Sequence, residues 1–283
     1  MKLHVINTGF FKLDGGAMFG VVPKSIWQKT NPADTNNLCT WAMRCLLIED
    51  GKQLILIDNG IGNKQDAKFF QHYFLHGDDS LTKSLNALGF SESDVTDMFL
   101  SHLHFDHCGG GVKYEGEKPE LVFKNAKYWS NADHWKWATQ PNAREKASFL
   151  KENILPMQES GHLNFVPIDI GIGKPSPFSQ FDLFYASGHT DKMMIPKIKY
   201  KDKTICFVAD LLPSVGHIPL AYVMGYDTRP LITLDEKEKF LKEAAVNNYV
   251  LFLEHDSVNE CCTVKETEGR VRLDKTFSLK EIL

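Results

Sequence analysis

Residues 99–110 read FLSHLHFDHCGG and put His102, His104, Asp106 and His107 into six residues, between an apolar run and a glycine run. Neutral imidazole and carboxylate are the donors that hold borderline divalent ions, and this density of them rarely arises as packing. An H-x-H spacing on extended chain points His102 and His104 the same way, after which Asp106 and His107 can turn toward a neighbouring ion. Gly109, Gly110 and Gly111 permit tight loop backbone beside them.

Further donors sit where strand-like runs end. DMFLSH stops at His102, DLFYASGH at His189, TICFVAD at Asp210 and YVLFLEH at His255. Rigid strands that deliver their last residues to one sheet edge build a site there. The expected ligands are therefore His102, His104, Asp106, His107, His189, Asp210 and His255. Seven donors exceed the four positions of one tetrahedral zinc and suit two ions that share a carboxylate. Zinc is the expected metal, with iron, manganese or cobalt as alternatives. Asp58, at the end of LILIDNG, reads as a hydrogen-bond partner that fixes the tautomer of a ligand imidazole; the competing reading is a turn-forming Asp before Asn59–Gly60. Cys108 reads as a small packing thiol. His4, His72, His76, His134 and His162 read as surface or satisfied core histidines. Phe10, Phe11, Phe19, Trp27 and Trp41 read by default as core, with a substrate wall as the alternative.

The elements that must carry these residues follow from pattern. WAMRCLLIED and LILIDNG are two strands joined by a turn at Asp50–Gly51. DSLTKSLNALGF has Leu81, Leu85 and Leu88 at helical spacing and Gly89 as a stop. Strands are expected over 94–102, 121–130, 163–169, 181–190, 193–211 and 249–257, and helices over 131–139 (Asn131 as cap), 142–157 and 233–248. Strands with interspersed helices suggest two sheets with helices outside. The 283 residues fit one layered α/β domain, 1–283, with ample core at 43% hydrophobic and 24% charged residues. A net charge of −4 gives no footprint for nucleic acid or an anionic membrane. No run of about 18 apolar residues is present, so no membrane span is expected. The opening MKLHVINTGFFKLDGG lacks an apolar core and a cleavage site; with six cysteines and no C-x-x-C pair, the expectation is reduced thiols in the cytoplasm.

HLHFDH followed by GG resembles the H-x-H-x-D-H signature of the metallo-β-lactamase superfamily, and His189 in SGHT, Asp210 in VADLLP, His255 in LEHD and Asp58 in LILIDNG match its remaining positions in order. The resemblance runs over residues 1–257. It implies a four-layer αβ/βα sandwich, two mixed β-sheets flanked by helices, with two divalent ions per chain. His102, His104 and His189 would hold one ion, Asp106, His107 and His255 the other, with Asp210 bridging. Within the superfamily the chain looks most like the lactonase and organophosphate-hydrolase branch, through DGGAMFGVVPKSIWQK, RCLLIEDGKQLILIDNGIGNK and HIPLAYVMGYD. This implies a metal-dependent hydrolase in which activated hydroxide attacks the carbonyl of a lactone or ester, with a phosphotriester as the alternative. A nuclease or phosphodiesterase would want a basic groove, and a metal-binding module without catalysis would not need so complete a ligand set. The partner expected is a small-molecule ester, lactone or phosphotriester; a homodimer stays open. One position departs from the pattern. Many lactonases of the superfamily carry a tyrosine three residues beyond the bridging aspartate, and here Pro213 stands there. Candidates for the missing donor to the substrate oxygen are His217 and Tyr222, together with Asp106 and Asp210 in the chemistry itself.

Overall fold

A computed structural model describes residues 1–168 and 177–283. Along the chain come β1 (Lys2–Asp14), the short helices α1 (Gly15–Phe19) and α2 (Lys24–Trp27), β2 (Leu38–Asp50), β3 (Gln53–Ile57), α3 (Ala67–Phe70), α4 (Leu81–Ala87) and β4 (Asp97–Phe99). The motif turn α5 (Phe105–Cys108) follows, then β5 (Val112–Glu115), β6 (Lys118–Leu121), β7 (Lys127–Ser130), α6 (Ala132–Thr139), α7 (Lys151–Glu159) and β8 (Leu163–Phe165). The last part holds β9 (Phe181–Ala186), β10 (Met193–Tyr200), β11 (Lys203–Phe207), α8 (Pro230–Asn247), β12 (Val250–Phe252), β13 (Cys261–Thr267) and β14 (Arg270–Phe277). These elements form two compact units: Met1–Gly9, Met43–Phe70 and Gly77–Ser179 in the first; Phe10–Ala42, Gln71–His76 and Gln180–Leu283 in the second.

The first unit is built on the sheet ordered β1-β2-β3-β4-β7-β8. β2 and β3 pair antiparallel from Leu46↔Ile57 to Asp50↔Gln53, the expected hairpin. β3, β4, β7 and β8 are all parallel, so their C-terminal ends share one edge. Being covered on both faces, β3 is almost wholly apolar and Leu54–Ile57 are buried. Leu47, Leu56, Leu85, Met98, Leu100, Leu103 and Phe123 belong to one buried cluster here. α4 starts where Ser80 accepts from Lys83 N, and Gly89 follows it at φ +84°.

In the second unit the order is β14-β13-β12-β11-β10-β9. β10 is antiparallel to both β9 and β11, and β11 is parallel to β12. β9, β11 and β12 therefore end at one edge, and each is followed by an expected ligand. α8 begins at Pro230, one turn earlier than the periodicity predicts, because proline at the first helical position needs no hydrogen-bond acceptor.

Some expectations are corrected. The run 121–130 is not one strand: a turn at Phe123–Ala126, closed by Ala126 N to Phe123 O at 3.1 Å, separates β6 from β7. The stretch 142–157 is helical only from Lys151, because the Asn142 side chain accepts from Arg144 N and Glu145 N and makes a turn instead. The run 193–211 is a hairpin that turns at Lys201–Asp202. The strand expected over 163–169 is Leu163–Phe165; its last residue lies outside the described residues. The polar-rich β13–β14 hairpin was not anticipated.

Candidate metal centre

The strand ends obey a common offset. β4 ends at Phe99, β9 at Ala186, β11 at Phe207 and β12 at Phe252, each three residues before His102, His189, Asp210 and His255 respectively. The expected ligands thus sit not on the strands, as the sequence suggested, but three residues into the loops beyond them, where backbone can turn a side chain across the sheet edge.

In the first unit His102, His104, Asp106 and His107 are all buried. Nε2 of His102 lies 3.0 Å from Nδ1 of His104. Two donors on one tetrahedral zinc, each bonded at about 2.0–2.1 Å, are roughly 3.3 Å apart, so this pair converges as shared ligation requires. Asp106 and His107 follow on the single turn α5, with Oδ2 of Asp106 3.8 Å from Nε2 of His107. His102 and His107 are each held at the other nitrogen. Nδ1 of His102 meets Ser101 Oγ at 3.1 Å and Nδ1 of His107 meets Asp58 Oδ2 at 3.0 Å, whereas Nε2 of His104 stands 3.5 Å from Glu145 Oε1, a charge-pair distance without a hydrogen bond. Asp58 sits in the left-handed region at φ +57° and also accepts from Ser101 N at 2.7 Å and Ser101 Oγ at 2.5 Å. One carboxylate thereby ties the end of β3 to the loops bearing His102 and His107. The glycines are required by close approach: a Cβ on Gly109 would stand 2.2 Å from Ile61 O, and one on Gly110 would stand 2.1 Å from Asn59 O.

The second unit supplies His189, Asp210 and His255, also buried. Asp210 gives one oxygen to each imidazole: Oδ2 is 3.0 Å from His189 Nε2 and Oδ1 is 3.0 Å from His255 Nε2. The remaining nitrogens are again anchored, His189 Nδ1 on Asp227 Oδ1 at 2.9 Å and His255 Nδ1 on Ala42 O at 2.7 Å. Burial opposes protonation of His189, but Asp210 and then Asp227 outweigh it and push the imidazole up to about 10. The donor set of imidazole and carboxylate fits a divalent ion. α8 holds the loop in place: Glu236 accepts from Ser187 N and Gly188 N, and Arg229 N at its start donates to Gly188 O.

Other expected residues find plain places. Cys108 is buried, its thiol pushed up to about 12 by burial, and it contacts Leu103 O. His134 accepts from Leu103 N at 2.9 Å, so it is a satisfied core histidine. His4 and His162 bind Glu49 and the Ala126 carbonyl; His72 and His76 are exposed. Phe11, Phe19, Trp27 and Trp41 are at most 1% exposed and belong to the core, and Phe10 stacks on His76. His217 is buried, stacked on Phe19 at 4.3 Å, and burial pushes it down to about 3. Its Nε2 lies 2.9 Å from Met18 O and its Nδ1 3.0 Å from Ser214 Oγ. A carbonyl only accepts, so the one proton of the neutral ring is on Nε2 and is already given away. Tyr222 is half-buried, edge-on to Phe19. Sequence reasoning missed Ser101, Glu145 and Asp227, because nothing local marks an acceptor for a histidine 38 residues away.

A family model for the metallo-beta-lactamase superfamily matches residues 44–255. An N-acyl homoserine lactonase of Bacillus cereus is 26% identical over 199 residues, 67% of this chain and 66% of that protein, and one of Bacillus thuringiensis is 25% identical over the same shares. The chain therefore spans just under two thirds of the length of these relatives. Among solved structures, a probable metal-dependent hydrolase from Staphylococcus aureus is 25% identical with a TM-score of 0.87, covering 98% of this chain and 96% of that one. AidC, a dizinc quorum-quenching lactonase in complex with a product, is 24% identical with a TM-score of 0.77, over 97% and 94% of the two chains. These likenesses agree on the fold, mixed sheets flanked by helices.

Proposed function

The chain belongs to the metallo-beta-lactamase superfamily, and from that premise we propose that it is a dinuclear metal-dependent hydrolase acting on a lactone or related ester. The observation that carries the reading is Asp210, whose two oxygens address two different imidazoles at 3.0 Å each. A carboxylate so placed would serve two ions at once, were they bound. In this reading His102, His104 and His189 hold one ion, Asp106, His107 and His255 the other, and Asp210 links them. When bound, the ions supply Lewis acidity toward the scissile carbonyl and lower the pKa of the attacking water.

The chain's own residues do the rest. Asp58, Asp227, Ser101 and the Ala42 carbonyl fix the tautomers of His107, His189, His102 and His255, so each of these rings presents a lone pair rather than an N–H. Asp106 contributes a charged ligand and a proton acceptor beside the reacting centre. Tyr222, on the loop that leaves Asp210, would donate its hydroxyl proton to the oxygen that gains charge. His217, its proton committed to Met18 O, keeps that loop in place.

Lactones are the preferred class because the relatives named above are N-acyl homoserine lactonases, and the dizinc neighbour supports two ions. Zinc-replete protein should hydrolyse N-acyl homoserine lactones faster, in kcat/KM, than aryl esters or phosphotriesters, and metal analysis should find close to two ions per chain. Faster phosphotriester turnover would move the assignment to the organophosphate branch; absence of hydrolysis across the panel with both ions present would end it.

A further inference from the structure

A cavity of about 650 Å³ lies within the second unit, away from every metal-ligand residue named above: none of them lines it. Its walls come from three places. Val215, Ile218 and Leu220 belong to the loop after Asp210, Leu241 to α8, and Val271 and Leu273 to the edge strand β14. Its size is that of small-molecule pockets, roughly 300–1,000 Å³. The walls are apolar, and Leu220 and Leu273 are each 39% exposed at its edge.

Charge at the rim is one-sided. Glu238 and Lys242 of α8 neutralise each other at 2.7 Å. On the hairpin, Lys265 is paired with Asp274 at 2.9 Å. Arg270 and Arg272 of β14 remain, and both line the cavity beside Val271 and Leu273. Neither forms a salt bridge among the described residues, although Glu266 and Glu268 share the hairpin. Two exposed guanidiniums beside an apolar hollow complement an anion carrying a hydrocarbon tail: the forks take a carboxylate, the arginine stems and the walls take the chain.

We propose that this cavity is a binding site for a single-chain carboxylate amphiphile, a fatty acid, separate from the metal centre. The ligand's carboxylate sits between Arg270 and Arg272, and its chain runs inward over Val271 and Ile218. The proposal does not depend on the substrate of the metal centre.

The probe is dodecanoate below its micelle concentration, titrated calorimetrically into the metal-replete full-length chain, with octyl glucoside as a tail without charge and acetate as a charge without tail. One-to-one dodecanoate binding is expected, at least tenfold tighter than either control. The double variant Arg270→Glu/Arg272→Glu, on exposed hairpin positions, should weaken it tenfold or more with metal content unchanged. Leu273→Asp, which puts a like charge in the wall, should weaken it similarly. Three results would overturn the proposal: no dodecanoate binding to the wild type, equal binding of octyl glucoside, or dodecanoate binding undiminished in the variants, which would put the ligand elsewhere.

Discussion

The carboxylate of Asp227 takes the Nδ1 proton of His189 across 2.9 Å. This contact decides which nitrogen of His189 is left for a metal, since a ring that donates from Nδ1 offers its lone pair at Nε2, the atom facing Asp210. The same segment wraps the histidine's backbone, with Thr228 N and Oγ1 both bonded to His189 O. Asp227→Asn keeps the shape but allows the amide to present an N–H, which selects the wrong tautomer. The variant should lose metal affinity by about 10–100-fold, the usual worth of such a partner. Chelator competition measures it; an unchanged affinity would reduce Asp227 to packing.

Asp210 carries a stronger expectation. Its two oxygens face two imidazoles, so Asp210→Asn removes both a charge and one of two equivalent acceptors. Turnover should fall by about a hundredfold or more, and bound metal should drop below two ions per chain, because a neutral amide links two cations poorly. Elemental analysis and kcat on one preparation test both parts. Two ions retained with near-wild-type kcat would show that Asp210 does not link them.

Much of this site was legible in the sequence because its signal is local. The H-x-H-x-D-H run and the single donors after apolar strands are visible without a fold, and the structure places all four strand-linked donors three residues past a strand end. The sheet core was legible for the same reason: runs such as LILI are buried on both sides. What was hidden depends on distant segments. Asp227 supports His189 from 38 positions away, and Glu145 stands beside His104 because Asn142 breaks a stretch whose pattern reads as helix. Strand ends were misjudged by a few residues, since apolar residues continue past the last ladder bond into buried loop, as at Leu100 and Val208. β14, with charge at four of its eight positions, alternates charged and apolar residues only over 270–273, too short a run to announce the hairpin.

Tyr222 and His217 can be separated by experiment. His217 has given its proton to Met18 O, whereas the Tyr222 hydroxyl stands on the same loop. Tyr222→Phe should lower kcat for lactone hydrolysis by about tenfold or more with metal content intact, the usual cost of a donor aimed at developing charge. His217→Gln, which can still bridge Ser214 and Met18, should cost far less than His217→Ala. Equal losses in Gln and Ala would return a direct role to the imidazole, and an unaffected Tyr222→Phe would leave the substrate oxygen to the metals.

The last expectation concerns Lys237, 1% exposed in the middle of α8. Its Nζ donates to Pro219 O at 3.0 Å and Tyr222 O at 2.8 Å, and so ties the helix to the loop that carries Tyr222. Burial pushes this ammonium down to about 7, against the pull of Asp227. A lysine in the unfolded chain titrates near 10.4. Between these values the unfolded chain binds the extra proton, so the contribution of this group to stability rises with pH from about 7 to about 10 and is level below 7. The neutral amine retains two N–H donors for its two carbonyls, so the loop stays tied as the charge is lost. Lys237→Met abolishes both the titration and the tie. Denaturant unfolding of the two proteins in parallel should therefore show wild type gaining on the Met variant by about 1 kcal/mol per pH unit between pH 7 and 9, close to the limit for one proton. Comparing the two at each pH cancels the pH dependence of metal binding common to both. Parallel curves across that range would mean that Lys237 keeps an ordinary pKa despite its burial.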